Sequence, residues 1–160
     1  MSPIAKKIEL LNEVASYLSK PFVGNVNYVA APEANGWIVG LAVANELNVG
    51  FIPVRKGGGF SYPRESLISK KYVDYSKVEK TLEIKDDFIE SGDKILLVDE
   101  WIETGASMNC CIELFQSLGG IVIGIAAVSV NYKVETKRWV DSGFVHYIAR
   151  DKIFYGETTD

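Results

Sequence analysis

Ile95-Leu96-Leu97-Val98-Asp99-Glu100-Trp101-Ile102-Glu103-Thr104-Gly105-Ala106-Ser107 decides how this chain folds. Four apolar residues read as a fully buried strand, and they stop at two adjacent carboxylates. A short Thr-Gly loop follows, and Met108 to Leu118 has helical spacing. A buried strand that ends in acids and runs through a small-residue turn into a helix suits a phosphorylated sugar. Free backbone N–H groups at the helix start meet the phosphate, and the carboxylates face hydroxyls or a metal at the strand's carboxyl end.

Outward from this segment the chain alternates strands and helices. Ile8, Leu11, Val14, Ala15 and Leu18 share one face of a helix predicted over 4–18. A short strand spans 26–31, and Pro32 then opens a helix to about Asn48, with Gly50 just past it. Phe51 to Arg55 is the next strand. Residues 56–80 break the rhythm with Gly57-Gly58-Gly59, Tyr62-Pro63-Arg64 and mixed tyrosines and lysines, so a long flexible loop is expected there. Thr81 to Ile84 returns to strand. Strand 121–130, helix 134–141 and strand 144–148 complete the pattern. Alternation of this kind predicts one α/β domain over residues 1–160, with a mostly parallel twisted sheet flanked by helices.

Composition narrows the partners. The chain has 160 residues, 48% apolar content and net charge −4, which argues against nucleic acid as the main partner. Residues 55–80 hold seven Lys/Arg against three acids, a local +4, so the remainder carries −8. A basic segment on an acidic body suggests a small polyanionic ligand, or else a solvated loop. Lys6, Lys7 and Glu9 interrupt any apolar run at the N-terminus, and the apolar stretch 121–130 is too short to span a bilayer. A cytoplasmic protein with no membrane association is therefore expected. Cys110 and Cys111 fit no metal-ligand spacing and read as reduced thiols with at least one facing the core. His146 reads as a packing residue.

The quoted stretch resembles the 5-phosphoribosyl-1-pyrophosphate (PRPP) signature of the type I phosphoribosyltransferases: four hydrophobics, two acids, two hydrophobics, one variable residue, then Thr-Gly-small-Ser/Thr. Three further segments resemble the adenine phosphoribosyltransferases in the same order. Val29 to Trp37, with Glu33, Ala34 and Asn35, is similar to their pyrophosphate loop. Leu47 to Lys56 is similar to the helix end, strand and Arg55-Lys56 pair that follow. Asp74-Tyr75 and Thr81 to Ile84 resemble the catalytic loop and its return strand. The resemblance covers about residues 27–130 and implies a type I phosphoribosyltransferase-like fold acting as a homodimer on PRPP and a nucleobase, adenine first and a 6-oxopurine next.

It also implies roles. Asp99 and Glu100 would bind the ribose diol, directly or through Mg²⁺ carried on PRPP. Thr104, Gly105, Ala106 and Ser107 would hold the 5-phosphate. Glu33, Ala34, Asn35, Arg55 and Lys56 would meet the pyrophosphate, with help from Lys70, Lys71 and Lys77. Asp74 and Tyr75 would act as loop catalysts. On the residues alone, Asp99 and Glu100 also suit a helix cap or a solvated sheet edge, and Arg55-Lys56 plain surface charge. Trp37 and Trp101 flank this region and read as packing.

Four departures stand out. The chain starts almost directly at the first helix, which implies a reduced hood over the base. Asn35 replaces an arginine, removing a charge-assisted contact. The loop carrying Asp74 is longer than usual, and the usual glutamate is the shorter aspartate. Glu103 stands where adenine enzymes carry alanine or threonine and where 6-oxopurine relatives carry an aspartate that exchanges a proton with the ring. Glu103 is then either the general base near N7 of the purine or a glutamate favoured by a helix N-terminus. These departures leave a second function open, a PRPP- or nucleotide-sensing protein without catalysis.

Overall fold

The computed structural model describes residues 3–148. A short 3-10 turn over Pro3–Lys6 leads into α1 (Ile8–Ser19), so the amphipathic helix begins four residues later than expected. Strand β1 (Tyr28–Pro32) takes in Pro32, and α2 (Asn35–Leu47) starts beyond it. Pro32 therefore closes a strand instead of opening a helix. The Glu33 N–H donates to Val54 O at 2.9 Å, continuing the pairing with β2 (Gly50–Lys56) past the proline.

The expected long loop is largely an antiparallel hairpin. Residues 57–66 are irregular, apart from a 3-10 turn at Arg64–Ser66, and 74–78 form the turn between the two strands. Strand β3 (Leu67–Val73) then pairs with β4 (Glu79–Lys85), from Leu67 opposite Lys85 to Val73 opposite Glu79. Ile68 and Tyr72 turn inward and pack on the core below, which is enough to hold a strand whose other face is polar.

Strand β5 (Lys94–Ile102) does not stop at Asp99-Glu100 but carries them within it, because its pairing with β6 (Ile121–Val130) runs on to Ile102 opposite Val130. Helix α3 (Ala106–Ser117) links β5 to β6; α4 (Val134–Asp141) and the short β7 (Val145–Tyr147) follow. The sheet order is β3-β4-β2-β1-β5-β6-β7, with every pair from β2 to β7 parallel.

Alternation along buried strands fills two cores. Val29, Ala31, Leu96 and Val98 face α1 and α2, while Ala30, Ile95, Leu97 and Ala127 face α3. Strand residues 95–98 are fully buried because helices cover both sides. The β1–α2–β2 unit winds one way across the sheet and β5–α3–β6 the other, so a crevice opens at the carboxyl ends of β1 and β5. Both cysteines are buried, and His146 stacks on Tyr17 with Nε2 at 3.1 Å from Tyr17 O, a packing role as expected. No helix among the described residues is long and apolar enough to cross a membrane.

Close approach of α2 to the sheet fixes one wall of that crevice. A Cβ on Gly40 would lie 2.8 Å from Ala31 Cβ and 2.8 Å from a Phe51 ring carbon. Gly40→Ala should therefore lower unfolding free energy by about 1–3 kcal/mol. Urea denaturation checks this, and an unchanged midpoint would mean that α2 is not held by this contact.

Candidate active site

The crevice collects its groups from three strand ends and two helix starts. At the end of β1 the Glu33–Ala34 peptide bond is cis. The Glu33 carboxylate accepts the Lys56 N–H at 3.1 Å and pairs with Arg55 Nε at 3.5 Å, tying β1 to β2. Arg55 also lies over the rings of Trp37 and Phe60, 5.6 and 5.5 Å from their centroids. Clamped in this way, Arg55 lines no part of the crevice. Lys56, next in sequence, has no ion pair among the described residues and faces it.

The heart of the crevice is a cavity of about 240 Å³ in which Asp99, Glu103 and the Thr104–Ser107 turn meet Lys56 and the hairpin tip. It opens into a wider one of about 770 Å³ lined by Ala34 and Asn35 at the start of α2, with Trp101 and Tyr75 opposite. Of the residues expected at the site, Glu33, Ala34, Asn35, Lys56, Asp74, Tyr75, Asp99, Glu103 and the Thr104–Ser107 turn line these two cavities, whereas Arg55, Glu100, Lys70, Lys71 and Lys77 do not. Glu100 lines neither cavity, since strand alternation turns it away from Asp99.

Asp99 is the most perturbed group in the crevice. Burial pushes its carboxyl up to about 7; the Glu100 N–H, donated to Oδ1 at 2.7 Å, pulls the other way, and the charge of Glu100 adds to the rise. A Cβ on Gly36 would come within 3.1 Å of Asp99 Oδ1, so a glycine there leaves room for the acid. Gly105 is constrained twice: its φ is +86°, and a Cβ would lie 2.9 Å from the Trp139 ring. Lacking a side chain, it cannot cap α3. The Thr104 hydroxyl accepts the Ala106 N–H at 3.4 Å, and the rest of the first turn is left to offer donors to an anion.

Glu103 is held from the neighbouring strand end. Asn131 Nδ2 donates to its Oε2, and Lys133 Nζ lies 4.0 Å from Oε1. Asn131 is itself fixed, its carbonyl accepting the buried Thr136 hydroxyl at 2.6 Å. The sequence reading missed both residues. The available signal was their place just after strand 121–130, because the carboxyl ends of adjacent parallel strands meet.

The hairpin tip differs from the expectation of a free loop. Asp74 pairs with Lys80 and accepts the Ser76 N–H at 2.9 Å, so the ammonium first and then Ser76 hold its carboxyl down at about 2. It closes the turn that carries Tyr75, which is 73% exposed above the cavity. Lys70 and Lys71 point elsewhere, paired with Glu113 and Glu79. Trp101, read as packing, is 61% exposed and walls both cavities, because β5 outruns the core before reaching it. Trp37 does pack, its indole N–H donating to Ala31 O at 3.0 Å.

A reversed-winding parallel sheet closed by a hairpin, with this crevice at the reversal, is the fold of the type I phosphoribosyltransferases. No family model matches the chain. The adenine phosphoribosyltransferase of Rhodothermus marinus superposes with a TM-score of 0.79 over 91% of this chain and 82% of that one, at 30% identity. That of Thermoanaerobacter pseudethanolicus gives 0.80 over 91% and 83%, at 29%. In sequence, the Leuconostoc citreum adenine phosphoribosyltransferase is 41% identical over 104 residues, 65% of this chain and 57% of that protein. The chain belongs to the adenine phosphoribosyltransferase family. It spans 57% to 61% of the length of the first curated relatives it matches.

The raised Asp99 carboxyl sets a pH dependence. The unfolded chain loses this proton near 3.8 and the folded one near 7, so between them the native state binds more protons and stability falls as pH rises. Asp99→Asn, which cannot ionise, should gain stability over the wild type from about pH 4 to about pH 7, with a constant difference above about pH 8. Denaturation of the ligand-free protein across that range checks it; a pH-independent difference would contradict the assignment.

Proposed function

We propose that this chain is a purine phosphoribosyltransferase, moving the 5-phosphoribosyl group from PRPP to adenine with release of pyrophosphate. The observation that carries the proposal is the 240 Å³ cavity, which joins a turn with free amides, a part-buried acid and a lysine without an ion pair among the described residues.

The reaction breaks the bond from ribose C1 to pyrophosphate and forms one to a ring nitrogen. Its cationic transition state is helped by alignment and by charges fixed in advance. The Thr104–Ser107 amides and hydroxyls grip the 5-phosphate, while Asp99 accepts the ribose diol. Lys56 faces the departing pyrophosphate. Glu103, held by Asn131, accepts the proton of the incoming base, and Trp101 offers that base a flat surface. Tyr75, carried by the Asp74 turn, covers the site and excludes water.

Two acids alone do not make a metal site, and among the described residues no cluster of three His, Cys, Asp or Glu is placed to hold an ion. Asp99, which lines both cavities, does fit a hard cation that brings most of its oxygen ligands on PRPP, whereas Glu100 is turned away from it. Bound there, Mg²⁺ would neutralise charge on the leaving pyrophosphate.

A second reading, a PRPP sensor without chemistry, is favoured by one observation. Asn35 lacks a charge, and Arg55 is engaged by Glu33 and two rings, so among the described residues Lys56 is left as the unpaired cation lining the pyrophosphate end.

Pyrophosphate release from PRPP and Mg²⁺, measured with adenine, hypoxanthine, guanine, xanthine, uracil and orotate, separates the two. Turnover with adenine supports the enzyme; PRPP-dependent thermal stabilisation with no turnover for any base supports the sensor. Glu103→Gln should lower kcat by about 10²–10⁴-fold with PRPP affinity unchanged. Asn131→Ala should lower it less, through the same proton transfer. Normal turnover in Glu103→Gln would remove that residue from the mechanism.

A further inference from the structure

The basic segment 55–80 carries more charge than the crevice uses. Four of its seven cations are paired: Arg55 with Glu33, Lys70 with Glu113, Lys71 with Glu79 and Lys80 with Asp74. Lys56, Arg64 and Lys77 have no ion pair among the described residues. Lys77 sits at the hairpin tip with φ +60°, whereas Lys56 and Arg64 both line one cavity of about 870 Å³ on the outer face of the hairpin.

That cavity has a second character. Phe60 and Tyr62 line it as neighbouring rings, 5.4 Å between centroids and tilted by 34°. The loop that presents them is fixed from below. The Glu83 carboxylate, 5% exposed, accepts the Phe60 N–H at 3.1 Å, and the Gly57 N–H donates to Thr81 O at 2.9 Å. Its volume lies in the range of small-molecule pockets, and its wall is shaped in the free chain.

We propose that this cavity is a second ligand site and that its ligand is a nucleoside polyphosphate. Two unpaired cations, one a guanidinium able to take two phosphate oxygens at once, call for several negative charges. The aromatic pair calls for a flat ring. A sugar phosphate supplies no flat ring, and a bare polyphosphate adds nothing to Phe60 and Tyr62, whose rings already meet Arg55, Phe88 and Lys85. Glu83, acceptor-only when ionised, repels phosphate and favours a base bearing an amino group. Lys56 also lines the catalytic cavity, so a nucleotide held here draws on the cation that faces the pyrophosphate end and weakens PRPP binding. By linkage, PRPP weakens nucleotide binding by the same factor.

Isothermal titration of the full chain with ATP, tripolyphosphate and adenosine tests this, and it reads binding directly, so a chain without turnover is still informative. Arg64 and Tyr62 line this cavity and neither of the other two, and both are exposed, so Arg64→Gln and Tyr62→Ala leave the fold intact. Arg64→Gln should weaken ATP and tripolyphosphate by about tenfold or more, the loss expected for one charge-assisted contact. Tyr62→Ala should weaken ATP and adenosine but not tripolyphosphate, and PRPP affinity measured without nucleotide should not change in either variant. No heat with millimolar ATP would overturn the proposal. ATP affinity unchanged in both variants would overturn it too, by moving the nucleotide to the catalytic crevice. Loss confined to Arg64→Gln would overturn the nucleotide assignment and leave a plain anion site.

Discussion

A part-buried carboxylate placed where the sheet reverses its winding is the constraint on which this structure turns. Asp99 follows four fully buried residues in β5, beside the end of β1, where helices depart on opposite faces and the described residues leave a crevice. Taking an acid out of water without a cationic partner is costly, and that burial raises the Asp99 carboxyl to about 7 although the Glu100 N–H donates to it. Under the proposed function, a ligand would supply what the fold withholds: hydroxyls, or a cation, for the acid, and a phosphate for the start of α3.

Support for this point comes from distant parts of the chain. Trp139 of α4 presses on Gly105, the Thr136 hydroxyl fixes Asn131, and Asn131 fixes Glu103. The short fourth helix is therefore a buttress for the turn and for the proposed base. Glu33 performs the same service on the other side by tying Arg55 and the Lys56 amide to the end of β1. Packing on one side and hydrogen bonds on the other hold the crevice open before any ligand arrives, which lowers the entropic cost of binding.

Much of this was legible in sequence, and the limits have physical causes. An unbroken apolar run such as 95–98 suits a strand covered on both faces, so it announced the parallel sheet, and its acids and Thr-Gly turn marked the segment that lines the crevice. The hairpin strand 67–73 was hidden because Ile68 and Tyr72 alone face the core, and its lysines find acids on β4 and α3. Pro32 misled because strand pairing to Val54 continues beyond it. Trp101 could not be assigned without knowing that β5 extends past its core. Asn131 and Lys133 lie 28 and 30 residues beyond Glu103, and only the parallel pairing of β5 with β6 brings them back to it.

The most direct test is a crystal structure of the chain with ribose 5-phosphate. Phosphate oxygens should sit on the backbone N–H groups of residues 105–107, with the sugar hydroxyls against the Asp99 carboxylate. A phosphate bound elsewhere, or a crevice holding only solvent at saturating ligand, would contradict the account.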